Sequence, residues 1–343
     1  MDLVIELSEL TDAAQKAFPA DKLSPPRDAS WQLVAEMGWL LIRLPEEEGG
    51  LGLDREASTA IHFEMGRVLS SVPLLQAQLG LQAVVESPDF AARADWIERI
   101  SGGEYVPLHL LPAKVTAADD GSLTGTIAGV FEADMASAIV ASLPGGYALV
   151  PLDAAGVTVT ERAIWDPSRR LFDVTLSGFA PDPALVLTEG AATKALHDAL
   201  APETHLALAA DSLGGASAAL DMTVEYMKMR RQFDRPIAMF QALKHRAADL
   251  KTQIVAAEAL MWNRARDPGV TVVQMGAVKA LAAEVYEFVT EEAIQLHGGI
   301  GLTAEHQCHL FMKRAFLNLQ LGAGTDLWRE QTGRAALAQF ADA

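Results

Sequence analysis

The sequence predicts an α+β protein in three parts. These are a helical N-terminal domain (residues 1–101), a small β-barrel or sandwich (102–190) and a C-terminal four-helix bundle (191–343). Two changes of texture predict it. Helical punctuation gives way near "SGGEY" (101–105) to short β-type runs, and a helical period returns near Ala191 and persists. There is no internal repeat and no low-complexity tract to suggest another architecture.

Along the first part, Pro25-Pro26, Pro45, Gly49-Gly50 and Pro73 separate helices of modest length. The stretch "MGWLLIRLPEEEGGLGL" (37–53) reads as a helix end, a short apolar run and an exposed acidic turn. In the middle part, "SLTGTIA" (122–128), "SAIVAS" (137–142), "GYALVP" (146–151), "GVTVT" (156–160) and "FDVTLSGF" (172–179) alternate with turn residues. Strands at that spacing suggest a small antiparallel barrel or sandwich. In the last part, Val278, Leu281, Val285 and Phe288 share one face of a helix over Val272–His297. Pro202, Pro236, Pro268-Gly269 and Gly298-Gly299 divide this part into about four helices.

Composition narrows the function. The chain has 343 residues, half of them apolar, which is enough for two or three domains with a substantial core. Lys and Arg number 27 against 45 Asp and Glu, a net charge of −18, which disfavours nucleic acid and anionic membranes as partners. No apolar run approaches the roughly 18 residues of a spanning helix. One cysteine, Cys308, cannot form an internal disulfide, and the start does not read as a signal peptide, so a cytoplasmic location is the expectation.

Two stretches could carry chemistry. "YMKMRRQFDRPIAMFQALKHRAADL" (226–250) sets Lys228, Arg230, Arg231, Arg235 and Lys244 beside Phe233, Phe240 and Gln241. Arg supplies a planar fork for phosphate, Phe a face for a purine, and Gln a hydrogen bond for an adenine or ribose edge. A basic helix end neutralising its own carbonyls gives the same composition. In "QLHGGIG" (295–301), the glycines either open backbone N–H groups to an anion or simply end a helix. His297 and His309 do not stand at a metal-ligand spacing from Cys308, so no metal is expected.

Together, "RRQFDRPIAMFQ" (230–241), "QLHGGIG" about 50 residues later and "GWLLIRLPEEEGGLGL" (38–53) resemble the acyl-CoA dehydrogenase family over nearly the whole chain. The resemblance implies an FAD whose ring lies against the middle domain and whose ADP portion is held partly by a neighbouring subunit. It implies Arg230 at the pyrophosphate, Phe233 and Gln241 beside the adenosine, and Gln295, Gly298 and Gly299 at the other end of the tail. It also implies an acyl-CoA substrate and an electron-transfer flavoprotein as redox partner.

The sequence departs from that family in three places. The Gly that usually follows the Phe is Asp234. The family's base, a Glu before Gly-Thr near the C-terminus, aligns with Ala323 in "LGAGTD" (321–326). Members that carry the base on an earlier helix align with Thr204 and His205, with Glu203 one residue away. The ring seat, a Thr-Glu-Pro and Gly-Ser-Asp type loop, is missing from "PLHLLPAKVTAADDG" (107–121). The resemblance then points to the subunit without a catalytic Glu in heteromeric dehydrogenases of bacterial steroid side-chain degradation. Its FAD would be shared with a Glu-bearing paralogue. The alternatives are a homotetramer using Glu203 as a displaced base, or a flavin-free scaffold of the same fold.

Overall fold

The computed structural model describes residues 7–341. Five helices open it: α1 (Leu7–Ala17), α2 (Arg27–Glu36), α3 (Arg55–Arg67), α4 (Leu74–Val85) and α5 (Arg93–Ser101). Asp54 caps α3 by accepting the Ala57 N–H at 3.1 Å. Phe18, Trp39, Ile42, Ile61 and Met65 bury between these elements, while Glu46 and Glu47 stand exposed on their turn.

The middle part is a sandwich of two four-stranded sheets. One has the order β1-β4-β5-β8, from Leu108–His109, Ala138–Leu143, Gly146–Pro151 and Val186–Glu189. The other is β2-β3-β7-β6, from Lys114–Ala117, Leu123–Phe131, Leu171–Phe179 and Val157–Arg162. Ile127, Ile139, Val150, Val174 and Leu176 fill the space between them. Pairing is antiparallel except β1 with β4, where Leu108 lies opposite Val140 in parallel. Short strands β1, β2 and β8 escape the sequence pattern because two to four residues are too few to show a period.

The helical part holds α6 (Ala191–Met229), a small hairpin of β9 (Arg231–Gln232) and β10 (Arg235–Pro236), α7 (Gln241–Ala265), α8 (Val272–His297), α9 (Cys308–Gln320) and α10 (Thr325–Ala341). Two expectations change here. Pro202 does not end a helix but sits inside α6. An interior proline costs about 3 kcal/mol, and burial of the Ala- and Gly-rich run that follows it against α3 and α8 outweighs that cost. On α8, Val278 and Val285 are buried, but Leu281 and Phe288 are 38% and 43% exposed, so the apolar face is wider than one core contact uses.

One buried network ties the three parts together. The Arg314 side chain, fully buried on α9, donates to Asp166 (2.8 Å), to Asp211 on α6 (3.0 Å) and to the Ser70 carbonyl (3.1 Å). Arg169 and Asn318 close the set around Asp211. A buried guanidinium is tolerated only where its donors meet acceptors, and here all three parts supply them.

Candidate functional site

A cavity of about 210 Å³ opens between the sandwich, α4, α6 and the turn before α10. Leu75 and Leu79 come from α4, Leu110 and Leu111 from the loop after β1, Val130 and Phe131 from β3, and Leu208 from α6. The lining contains no Asp and no Glu. Its polar side chains are Gln76, His109, His197, Thr204, His205 and Gln320.

The turn Leu321–Gly324 forms one wall and is firmly built. The Gly322 carbonyl accepts from Trp328 Nε1 at 2.9 Å and lies 3.1 Å from His205 Nε2. Lys279, buried on α8, donates to the Leu319 and Ala323 carbonyls at 3.1 and 2.9 Å. Burial pushes this ammonium down to about 8. Ala323 holds φ +70°, a left-handed conformation unusual for a residue with a Cβ. The backbone that would present a base is thus in place, and the side chain has no proton acceptor.

Two of the histidines in the lining are held as neutral, weak bases. With Nε2–H donated to Gly322, His205 Nδ1 keeps its lone pair, buried and unpartnered. Burial pushes His205 and His109 down to about 4, so both are neutral and weakly basic at neutral pH. Glu203 does not line the cavity. Arg55 and Arg43 hold its carboxylate at 2.5 and 3.2 Å. One residue along a helix is a turn of about 100°, and that turn carries Glu203 out of the cavity to the side of α6 that faces Arg43 and Arg55.

The predicted ADP contacts lie at the far end of α6. Arg230 follows its last turn, exposed, and makes no ion pair among the described residues. The hairpin that follows turns through Phe233 and Asp234 at φ +52° and +60°, the conformation in which hairpins favour Asn-Gly. Asp234 thus occupies the left-handed position where the family's Gly would be unstrained. Phe233 stands 84% exposed at the tip, edge-on to Phe240 with ring centroids 5.9 Å apart. Gln241 begins α7, exposed. Tyr226 stacks on His297 at 4.5 Å, which joins the end of α6 to the residue before Gly298. Arg230, Gly298 and Gly299 therefore share one end of the bundle, with Gln295 exposed on the last turn of α8.

These residues fit the ADP portion of a flavin. Arg230 has no ion-pair partner among the described residues, and Phe233, on a turn of positive φ, keeps most of its surface exposed beyond its edge contact with Phe240. A Cβ on Gly299 would meet nothing, so packing within the chain gives no reason for glycine there. The cavity does not fit the ring as well: leucines occupy the loop after β1 where the family places hydroxyls.

Sequence reasoning missed Lys279 and His306. Neither has a local motif, and only the crossing of α8 with the turns after it gives them partners.

Two helical domains around a β-sandwich, enclosing an apolar cavity, define a flavoprotein oxidoreductase fold. The chain matches the acyl-CoA dehydrogenase N-terminal domain over residues 8–104 and the acyl-CoA dehydrogenase C-terminal domain over 199–336. It is 32% identical to acyl-CoA dehydrogenase IpdE2 of Mycolicibacterium smegmatis, over 85% of this chain and 82% of that one. Among solved structures, a Tcur3481-Tcur3483 steroid ACAD G363A variant superposes with TM-score 0.81 at 26% identity, covering 98% and 99% of the two chains. The ChsE4-ChsE5 complex from Mycobacterium tuberculosis shares the fold at TM-score 0.83 and 24% identity, covering 98% and 99%. The chain belongs to the acyl-CoA dehydrogenase family, whose members bind FAD. No described helix is long and apolar enough to cross a membrane.

Proposed function

We propose that this chain is the non-catalytic subunit of a heteromeric FAD-dependent acyl-CoA dehydrogenase. The observation that carries the reading is the cavity without a carboxylate, with Ala323 on its wall. The family reaction removes an α-proton, and an enzyme lacking a general base typically loses roughly 10²- to 10⁴-fold in rate. A Glu-bearing partner supplies that base and most of the ring contacts. When bound, FAD supplies the hydride acceptor.

The geometry of α6 favours sharing. From His205 in the cavity to Arg230 is 25 residues of helix, about 37 Å. A flavin dinucleotide does not bridge that span, so Arg230, Phe233 and Gln241 serve a flavin seated in a different chain. This chain's part is to neutralise the pyrophosphate, cover the adenine and present the Gly298-Gly299 backbone. The acyl group is proposed to be polycyclic, in keeping with the likeness to a steroid ACAD structure. Loss of one of two paired sites leaves room for such a group. An electron-transfer flavoprotein is the proposed redox partner. Among the competing readings, a homotetramer with Glu203 as base meets the obstacle of Arg55 and Arg43, which keep that carboxylate paired outside the cavity.

Co-expression tests the proposal. The chain alone is expected to purify colourless and inactive, and to form a yellow complex with a Glu-bearing paralogue encoded nearby. In that complex Arg230→Ala should lower flavin occupancy by removing a charge-assisted phosphate contact. A yellow, active homotetramer would overturn the reading. A chain that recruits neither flavin nor paralogue would favour the scaffold.

A further inference from the structure

α8 ends at His297, a tight turn over Gly298–Leu302 reverses the chain, and α9 begins at Cys308. The reversal gathers three side chains whose spacing in sequence carries no metal signature. One ligand atom each from His297, His306 and Cys308 lie within 4.8 Å of one another. We propose that these three residues bind a borderline-soft transition-metal ion, zinc first.

His297 gives the strongest reason. It is only 3% exposed, and its Nδ1–H donates to the Ala293 carbonyl at 2.7 Å. Nε2 must then carry the lone pair, and it is buried without any hydrogen-bond partner. A buried acceptor left unmatched is rare in a settled core and asks for an occupant. The ring is not free to turn away, because Tyr226 stacks on it at 4.5 Å with the planes 28° apart. His306 faces it at 4.4 Å between ring centroids. Its Nδ1 accepts the Cys308 backbone N–H at 3.2 Å, a bond that a metal on that lone pair would replace on this half-buried ring.

The donor set selects the ion. Two imidazoles and a thiol, with no carboxylate in the group, suit zinc and its neighbours and reject calcium and magnesium, which want oxygen. Zinc bonds of about 2.0–2.1 Å to nitrogen and about 2.3 Å to sulfur require the three atoms to draw in modestly. The fourth position falls to solvent on the half-buried His306 side. Burial keeps the Cys308 thiol protonated before binding. As the Sγ–metal bond forms, the Sγ–H bond breaks and its proton passes to water, with no change of oxidation state. The bound ion pins the start of α9 to the end of α8 and thereby fixes the Gly298–Leu302 turn between them.

The test uses the full chain, freed of metal by dialysis against chelator and titrated with Co²⁺. We expect one equivalent per chain, tetrahedral visible bands and a thiolate-to-cobalt charge-transfer absorption, all displaced by Zn²⁺. Cys308→Ser should abolish the charge-transfer absorption. His306→Gln, at a half-buried position that tolerates change, should weaken cobalt binding by at least the about 10- to 100-fold that loss of a supporting partner alone costs. It keeps the test readable if the buried Ser variant does not fold. A wild-type titration without charge transfer, or unchanged affinity in His306→Gln, would overturn the site. Flavin content does not enter the readout, so this inference and the proposed function fail separately.

Discussion

At Ala323 the turn is firmly held while the side chain offers no proton acceptor. Lys279, Trp328 and His205 all bind the carbonyls of its turn, and none of them needs a carboxylate to do so. Ala323→Glu therefore adds no backbone strain beyond what Ala at φ +70° already carries. It is expected to fold and, on the proposed reading, still to give no dehydrogenation without a partner, because leucines stand where the ring seat would be. Turnover by that purified variant in an artificial-acceptor assay would show that the middle part seats the flavin ring by itself. Arg314 is the opposite case, a residue whose loss should be structural. Arg314→Ala leaves Asp166 and Asp211 buried with one cation fewer, a loss of about 3–5 kcal/mol that a urea midpoint will read. A midpoint within experimental error of the parent would mean that water replaces the guanidinium easily.

At the scale of elements, legibility followed length and period. α8 was readable because apolar residues such as Val278 and Val285 recur at helical spacing between Pro268-Gly269 and Gly298-Gly299; the Thr271 capping box that opens it emerges only from the structure. The five main strands were readable from alternation and turn residues, but not the parallel β1–β4 pair, since direction depends on the route of the chain and not on local pattern. Pro202 misled for a related reason: propensity is local, and the burial that overrides it is not. Of the site, Ala323 and the Arg230 hairpin could be found from motifs. The ion pairs on Glu203 could not, because Arg43 and Arg55 lie about 150 positions earlier. Helix packing gives a prediction at this scale. Gly214 on α6 lets α3 pass so closely that a Cβ there would overlap the Phe63 carbonyl. Gly214→Ala should cost about 1–3 kcal/mol as the helices move apart. A stability equal to the parent's would mean that the contact is looser than drawn.

Over the whole molecule, desolvated histidines contribute to the response to acid. His62, His109 and His205 are each pushed down to about 4 by burial, whereas an unfolded chain protonates near 6.5. Their contribution is complete above about pH 6.5 and is lost as pH falls through about 4, at up to about 1.4 kcal/mol per pH unit for each histidine. Glu64 and Glu132, pushed up by burial, oppose the loss at its acid end. A urea midpoint clearly lower at pH 5.5 than at 7.5 is expected, and an equal or higher one would contradict these burials. The long α6 has a last consequence, for what can vary among relatives of this chain. On the proposed reading it would work as a caliper whose jaws are set in different subunits. One residue inserted between His205 and Met229 would swing the Arg230 hairpin about 100° around the axis and push it about 1.5 Å outward. Exposed surface loops tolerate insertions more readily, but on this reading the count of residues along that rod is a fixed dimension of the assembly.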